Sequence, residues 1–164
     1  MVKDAVLKYE AFKYEVNLRC KMKSDLLLKV HGAIRPFTLY YIIQRVPIHA
    51  KNILKLIKLL TLPDNEIVMC NMCQKCVTNI AHHIFIVCIN LNECRNAMWD
   101  EITDIIGVEL AANLFNKGDC DQVACLMGAS WELCSKKNTS MHDDFIICVS
   151  SYYSQIYDLL QTQF

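Results

Sequence analysis

Cysteines and histidines are concentrated in one short segment, CNMCQKCVTNIAHHIFIVC, which spans residues 70–88. Cys70 and Cys73 form a C-x2-C pair, the spacing at which two thiolates on one hairpin hold the same tetrahedral ion. His83 and Cys88 follow with H-x4-C spacing. Three sulfurs and one imidazole nitrogen suit zinc and fill its four positions, so the sequence predicts a closed, structural zinc site.

The spacing of the second pair constrains the local structure. On a regular α-helix, an offset of five residues places His83 and Cys88 about 140° apart around the axis. The two side chains can therefore bind one ion only if the helix ends or unwinds near Cys88. We expect the Ile89–Asn90 step to provide this break.

Two neighbouring residues are alternative ligands. Cys76 lies three residues past Cys73 and can replace a thiolate, and His82 adjoins His83, although its six-residue offset from Cys88 fits less well. A further alternative is a set of buried thiols without a metal, because cysteine is among the residues most often found in protein cores. We expect the cysteines outside the segment to be core residues.

The elements around the segment are predicted to be helical. Four Gly and three Pro in 164 residues are too few for a sandwich or barrel with many tight turns. We expect an all-α protein, a helical bundle in two halves joined by a small zinc knuckle. The apolar periodicity predicts helices near 3–18, 24–31, 49–60, 80–88, 91–106, 119–134 and 141–161. Residues 37–46 fit either a helix or a strand, Gly107 is expected to end a helix, and Asp119 to cap the next.

The formal net charge is zero, but the two parts of the chain carry opposite charge. Residues 1–60 contain twelve basic and four acidic residues, whereas residues 61–164 contain five basic and thirteen acidic residues. The sign changes in the loop LPDNE at 62–66. We therefore predict a basic helical N-terminal subdomain (1–62) and a zinc-knuckle and helical C-terminal subdomain (63–164), with either a polyanion-binding surface on the first or attraction between the two.

Residues 48–62 predict a basic amphipathic helix. Lys51, Lys55 and Lys58 recur at spacings of four and three, which places them along one side, and we expect them to lie in water. Such a row of ammonium groups predicts non-specific contacts with the phosphates of RNA or DNA. The alternative is a solvated face, or pairing with the acidic residues near 100–104.

Further segments extend the cysteine and histidine pattern. They are LKYEAFKYEVNLRCKMKSDLLLKV (7–30), IHAKNILKLIKLLTLPDNEIVMCNMC (48–73), CRNAMWDEI (94–102), DQVACLMGAS (121–130) and the last 20 residues. Together these segments resemble the zinc-binding region that follows the polymerase in reverse transcriptases of animal non-LTR (LINE-like) retrotransposons. The resemblance implies a detached accessory domain with Cys70, Cys73, His83 and Cys88 as zinc ligands.

The sequence predicts no enzyme. It contains no Walker loop, GxSxG or HExxH motif. The carboxylates of MHDD (141–144) have no further acidic partner on a sheet to form a two-metal polymerase site, so we interpret them as a helix cap. A thiol hydrolase or redox protein using C-x2-C is the enzymatic alternative.

The partners and compartment follow from charge and hydropathy. A nucleic-acid-binding zinc module is the first hypothesis. The second is a zinc-stabilised protein-interaction domain whose acidic C-terminal half recruits a partner. No apolar run approaches the ~18 residues of a spanning helix, and the opening MVKDAVLKYEAFKYE is too charged for a signal peptide. We expect no membrane association, a cytoplasmic or nuclear location and mostly reduced cysteines.

Overall fold

The computed structural model describes residues 38–60, 67–128 and 139–161. These residues form helices and one small antiparallel sheet. The elements in chain order are α1 (Thr38–Arg45), α2 (Ala50–Leu60), β1 (Val68–Cys70), β2 (Lys75–Val77), α3 (Ile80–His82), α4 (Asn92–Ile106), α5 (Val108–Phe115), α6 (Asp119–Leu126) and α7 (Thr139–Gln161). Short 3-10 turns precede α2 at Pro47–His49 and α4 at Ile89–Leu91, and a π-helical turn continues α3 over His83–Val87.

The long helix α7 packs against both α2 and α4. Its buried residues recur at spacings of three and four, which forms one apolar stripe along the helix. On α2 the side chains of Ile53, Leu56 and Ile57 are fully buried against it. Neither α7, with 23 residues, nor any shorter helix in the described part of the chain is long and apolar enough to cross a bilayer.

Two side chains of α1 and α2, Arg45 and Lys55, make polar contacts with α7. Arg45 at the end of α1 donates to Asp143 twice, at 2.7 Å from Nε to Oδ2 and 2.6 Å from Nη2 to Oδ1. Lys55 in α2 donates to Ser154 Oγ at 2.9 Å, and its Nζ lies 4.9 Å from the centre of the Tyr157 ring. These contacts and the core formed by the described residues cross the predicted domain boundary. A mostly helical fold is confirmed, but the description of the bundle as two halves is not.

Two glycines with positive φ lie at helix ends. Gly107 (φ 85°) ends α4, as predicted. Gly128 has φ 100°, and a Cβ there would lie 3.0 Å from Cδ2 of Leu39, so the chain after α6 needs glycine both for its backbone and for the close approach of α1. The helix predicted to reach residue 134 therefore ends at Leu126, and residues 129–134 lie outside the described part.

Most of the predicted helices are confirmed, and two predicted caps are corrected. The helices near 49–60, 91–106 and 141–161 agree with the structure to within two residues, and 37–46 is helical. The residue at the N-cap of α6 is Gly118 and not Asp119, which is the first residue of the helix and whose carboxylate contacts His82. Asp143 is not a cap, since α7 begins at Thr139 and its carboxylate pairs with α1. The predicted helices near 3–18 and 24–31 lie outside the described residues.

Candidate metal centre

Four side chains meet between the hairpin and the turn that follows α3. One ligand atom from each of Cys70, Cys73, His83 and Cys88 lies within 4.8 Å of all the others. The sulfurs of Cys70 and Cys88 are 3.8 Å apart, and Sγ of Cys73 is 3.3 Å from Nε2 of His83. The described cysteines are free thiols. The structure thus brings together the four residues that the sequence singles out.

The spacing of these atoms fits one four-coordinate metal ion. Zinc binds sulfur at about 2.3 Å and nitrogen at about 2.0–2.1 Å, so a tetrahedron of such bonds separates two sulfurs by about 3.8 Å and sulfur from nitrogen by about 3.6 Å. The measured distances are 3.8 and 3.3 Å. Cys70, His83 and Cys88 are 0, 5 and 1% exposed, so an ion held there is enclosed by protein.

The hairpin presents the first two thiols. β1 ends at Cys70, which pairs with Lys75 at the start of β2, and residues 71–74 form the turn. The N–H of Gln74 donates to the carbonyl of Cys70 at 2.7 Å. Gln74 has φ 60°, the left-handed conformation that non-glycine residues rarely adopt. This tight reversal brings Cys73 back to the same side as Cys70.

A π-helical turn presents the other two ligands. Asn79 caps α3 by accepting a hydrogen bond from the N–H of His82 at 3.0 Å. Beyond it, the N–H of Cys88 donates to the carbonyl of His83 at 2.8 Å, five residues back, so the offset of five becomes about one full turn. Cys88 is extended, with φ −61° and ψ 112°. The helix therefore unwinds before and at Cys88, rather than at the predicted Ile89–Asn90 step.

The π-helical turn releases one buried carbonyl. In an α-helix the carbonyl of Ile84 would accept from the N–H of Cys88, which here bonds one residue earlier. Tyr152 Oη donates to this carbonyl at 3.1 Å, and Nη1 of Arg95 donates at 3.2 Å. Both donors come from the bundle helices, so the metal centre is attached to α4 and α7.

Sequence reasoning did not assign roles to these partners. Arg95 precedes the buried Met98 by three residues, and a charged side chain on the inward face of a helix indicates a buried polar partner. The sequence gives no comparable indication for Tyr152. Its aromatic ring is expected on the apolar face of α7, and nothing in the sequence shows that its hydroxyl has a buried partner. Asn90 donates from its side chain to the carbonyl of Met72 in the hairpin turn, a contact that no spacing indicates.

Burial and nearby charge set the protonation of the cluster. Burial lowers the pKa of His83, and neighbouring positive charge, chiefly that of Arg95, lowers it further, so the imidazole is neutral at pH 7. Burial and the neighbouring thiols raise the pKa of Cys88 to about 11. Burial also acts to raise the pKa of Cys73, but hydrogen bonds from the Lys75 backbone and the adjacent thiols outweigh it and leave this pKa below its usual value.

The alternative ligands lie apart from the cluster. Cys76 is exposed on β2, opposite Met69. His82 faces α6, where its Nε2 lies 3.1 Å from Oδ2 of Asp119. Among the described residues, the only group of three or more such side chains close enough to hold an ion is therefore the one that contains His83.

The remaining cysteines of the described residues differ in burial. Cys125 and Cys148 are buried, as predicted. Cys94 and Cys120 are exposed, so the prediction that they are core residues is wrong; they lie in the first turns of α4 and α6. Cys20 and Cys134 lie outside the described residues.

The three lysines of α2 are not equivalent. Lys51 and Lys58 are exposed, as expected. Lys55 is half-buried because α7 lies beside it, and it contacts Ser154 and the Tyr157 ring. The expectation that all three ammonium groups lie in water is therefore wrong for Lys55.

Comparison of the chain with models of protein families, with curated proteins and with solved structures found no match. The resemblance to retrotransposon reverse transcriptases thus rests on the sequence motifs alone. The functional information in the structure is the geometry of the cluster formed by three cysteines and His83.

Proposed function

We propose that the protein is a non-catalytic helical module that binds one structural zinc ion and contacts RNA or DNA, similar in role to the accessory region of retrotransposon reverse transcriptases. The observation that carries the zinc part is the convergence of Cys70, Cys73, His83 and Cys88 within 4.8 Å. Thiolates with one imidazole favour zinc over the hard cations that prefer oxygen ligands.

A structural role follows from the closed ligand set. Catalytic zinc sites keep one position for water or substrate, whereas four protein ligands leave none. Three of the four residues are buried, so substrate has no direct approach to an ion held between them. The hairpin has strands of only three residues, which are too short to be stable without a further constraint. A bound ion supplies that constraint by joining the hairpin to the π-helical turn.

Metal analysis of the purified chain tests the zinc proposal. We expect one zinc per chain after purification without added metal. Cys70→Ser and Cys88→Ser should each lose the ion, because metal binding here is coupled to local folding. Cys76→Ser and Cys94→Ser are matched controls, since both thiols are exposed and outside the cluster. Full zinc retention in both ligand variants, or loss only in Cys76→Ser, would contradict the proposed ligands.

The nucleic-acid part of the proposal depends on α2. Lys51 and Lys58 are exposed on a helix whose opposite face is buried, so both side chains lie on the solvent side of α2. Lys55 is held against α7 and is not assigned to this contact. Contacts to phosphate carry no sequence information, so we expect similar affinity for different sequences.

A salt titration distinguishes nucleic-acid binding from the alternative of a protein-interaction domain. Replacing Lys51 and Lys58 by Gln should weaken binding and reduce the slope of log K against log[salt] by about 1.8 for duplex DNA. Lys55→Gln is the matched control, which should leave this slope unchanged. If the double variant leaves both affinity and slope unchanged, α2 does not bind nucleic acid and the interaction-domain hypothesis gains support.

A further inference from the structure

We infer that Tyr152 and Arg95 are positioning residues of the metal centre, which act by holding the backbone carbonyl of Ile84. The inference rests on the proposed metal binding. Neither side chain contacts the ion in this scheme. Their role is to select the π-helical turn, which is the backbone conformation that brings His83 and Cys88 to the same side.

The turn has two competing conformations. In an α-helical turn, the N–H of Cys88 would bond to Ile84, and the two ligand side chains would point about 140° apart. In the observed turn the same N–H bonds to His83 at 2.8 Å, and the sulfur and imidazole converge. In the α-helical turn the carbonyls of His83 and Ile84 would both accept from N–H groups of the helix, whereas the observed turn leaves the carbonyl of Ile84 without a helical N–H partner.

The protein interior contains donors placed for only one of these carbonyls. Tyr152 is 4% exposed and donates to the Ile84 carbonyl at 3.1 Å, and Arg95 is 7% exposed and donates at 3.2 Å. A carbonyl oxygen has two lone pairs, so the two donors together satisfy it. In the α-helical alternative the N–H of Cys88 would occupy one lone pair of this oxygen, so one of the two buried donors on α4 and α7 would lose its acceptor.

Both donors are themselves held by surrounding contacts. The guanidinium of Arg95 donates from Nη2 to the side chain of Asn92, one turn earlier on α4. The ring of Tyr152 packs against Phe85, with 5.7 Å between the ring centres. The direction of each donor is therefore set by packing before any ion binds, as is typical of residues that orient metal ligands through a second contact.

The test measures zinc affinity by competition with a chelator in the full chain, together with the cobalt(II) spectrum. Tyr152→Phe removes one hydroxyl and should weaken zinc binding about 10-fold, in the range of about 10- to 100-fold typical of such outer contacts. It should also change the cobalt d–d bands, which report tetrahedral geometry. Tyr153→Phe is the matched control, because this buried tyrosine on the same helix packs edge-on against Tyr157 and should leave both readouts unchanged.

The arginine is tested by two substitutions. Arg95→Met should weaken zinc binding as Tyr152→Phe does, and Arg95→Lys, which keeps a charged donor, should recover part of the affinity. If Arg95→Met does not fold, the comparison of Tyr152→Phe with Tyr153→Phe decides the question. A purely structural role would lower the thermal stability of the metal-free and metal-bound chains equally and leave affinity and spectrum unchanged, which would overturn the inference.

The outcomes also separate this inference from the proposed function. If the wild-type chain binds neither zinc nor cobalt(II), both are overturned. If the wild type binds and Cys70→Ser does not, while Tyr152→Phe and Arg95→Met match the wild type, the metal centre stands and the positioning role is wrong.

Discussion

The metal centre and the interface between α2 and α7 hold the chain together in different ways. The four ligands all lie within residues 70–88, and the hairpin that carries two of them leaves Met69 and Cys76 exposed. The α2–α7 interface instead joins residues about a hundred positions apart, and Leu56 of α2 is completely buried.

This difference determines what each region needs to be stable. Apolar burial stabilises the helix interface without any ligand, because each fully buried side chain contributes roughly 1.5–3 kcal/mol. The hairpin buries little apolar surface and depends on a cross-link. We therefore expect the metal centre to respond to metal and pH, and the helix interface to respond to changes in packing and charge pairing.

The largest effect should follow metal removal. An excess of chelator should abolish amide-exchange protection over the hairpin, residues 67–77, while α2 and α7 keep most of theirs. Structural zinc in finger peptides contributes about 10–16 kcal/mol of apparent binding free energy, far more than any side chain in the interface. Hydrogen exchange read by mass spectrometry on the metal-loaded and stripped chain measures this, and loss of protection in both regions at once would contradict the separation.

A cavity in the helix interface should lower the stability of the fold and leave the metal centre unchanged. Leu56→Ala removes a fully buried side chain from α2 and should lower the free energy of unfolding by about 2–5 kcal/mol. Zinc affinity should stay at the wild-type value. Urea denaturation measures the free energy of unfolding, and competition with a chelator measures the zinc affinity. Ile48→Ala is the control, since Ile48 is 87% exposed and its loss should change stability by less than about 0.5 kcal/mol.

The metal centre should be sensitive to pH in a defined direction. Cys88, with a pKa raised to about 11, is protonated at neutral pH and must release its proton to bind zinc, whereas burial and neighbouring positive charge leave His83 already neutral. Zinc affinity should therefore rise with pH, by about tenfold per unit for each proton released. Calorimetry in buffers of different ionisation enthalpy counts these protons, and a count of zero would contradict the assignment of Cys88.

The ion pair between α1 and α7 should give the smallest effect. Asp143 is buried, but the Arg45 side chain is 42% exposed, so solvent screens the pair and Asp143→Asn should cost only about 1 kcal/mol of stability. Asp144→Asn is the adjacent exposed control and should cost nothing measurable. Zinc affinity should be unchanged in both variants. A drop in zinc affinity in Asp143→Asn would show that the two regions are coupled through α7 more widely than through Tyr152.

Local patterns made a large part of the structure predictable. Apolar spacing of three and four residues predicts α2, α4 and α7 because burial of one face is what stabilises a helix in a protein. The C-x2-C and H-x4-C spacings predict the ligand group because two close pairs of thiol and imidazole side chains are the arrangement typical of structural zinc sites. Gly107 ends α4 for a reason contained in its own backbone, since only glycine adopts its positive φ without strain.

Structural features that depend on residues far apart in the sequence could not be predicted from those local patterns. The sequence by itself determined which side chains are available to a metal and which faces of the helices are apolar. Only the tertiary structure decided that the turn after His83 is π-helical, because its released carbonyl is bonded by Tyr152, 68 positions after Ile84. It likewise placed Lys55 against α7. Such contacts have no sequence period, since they arise from packing of helices whose order in space is set by the whole core.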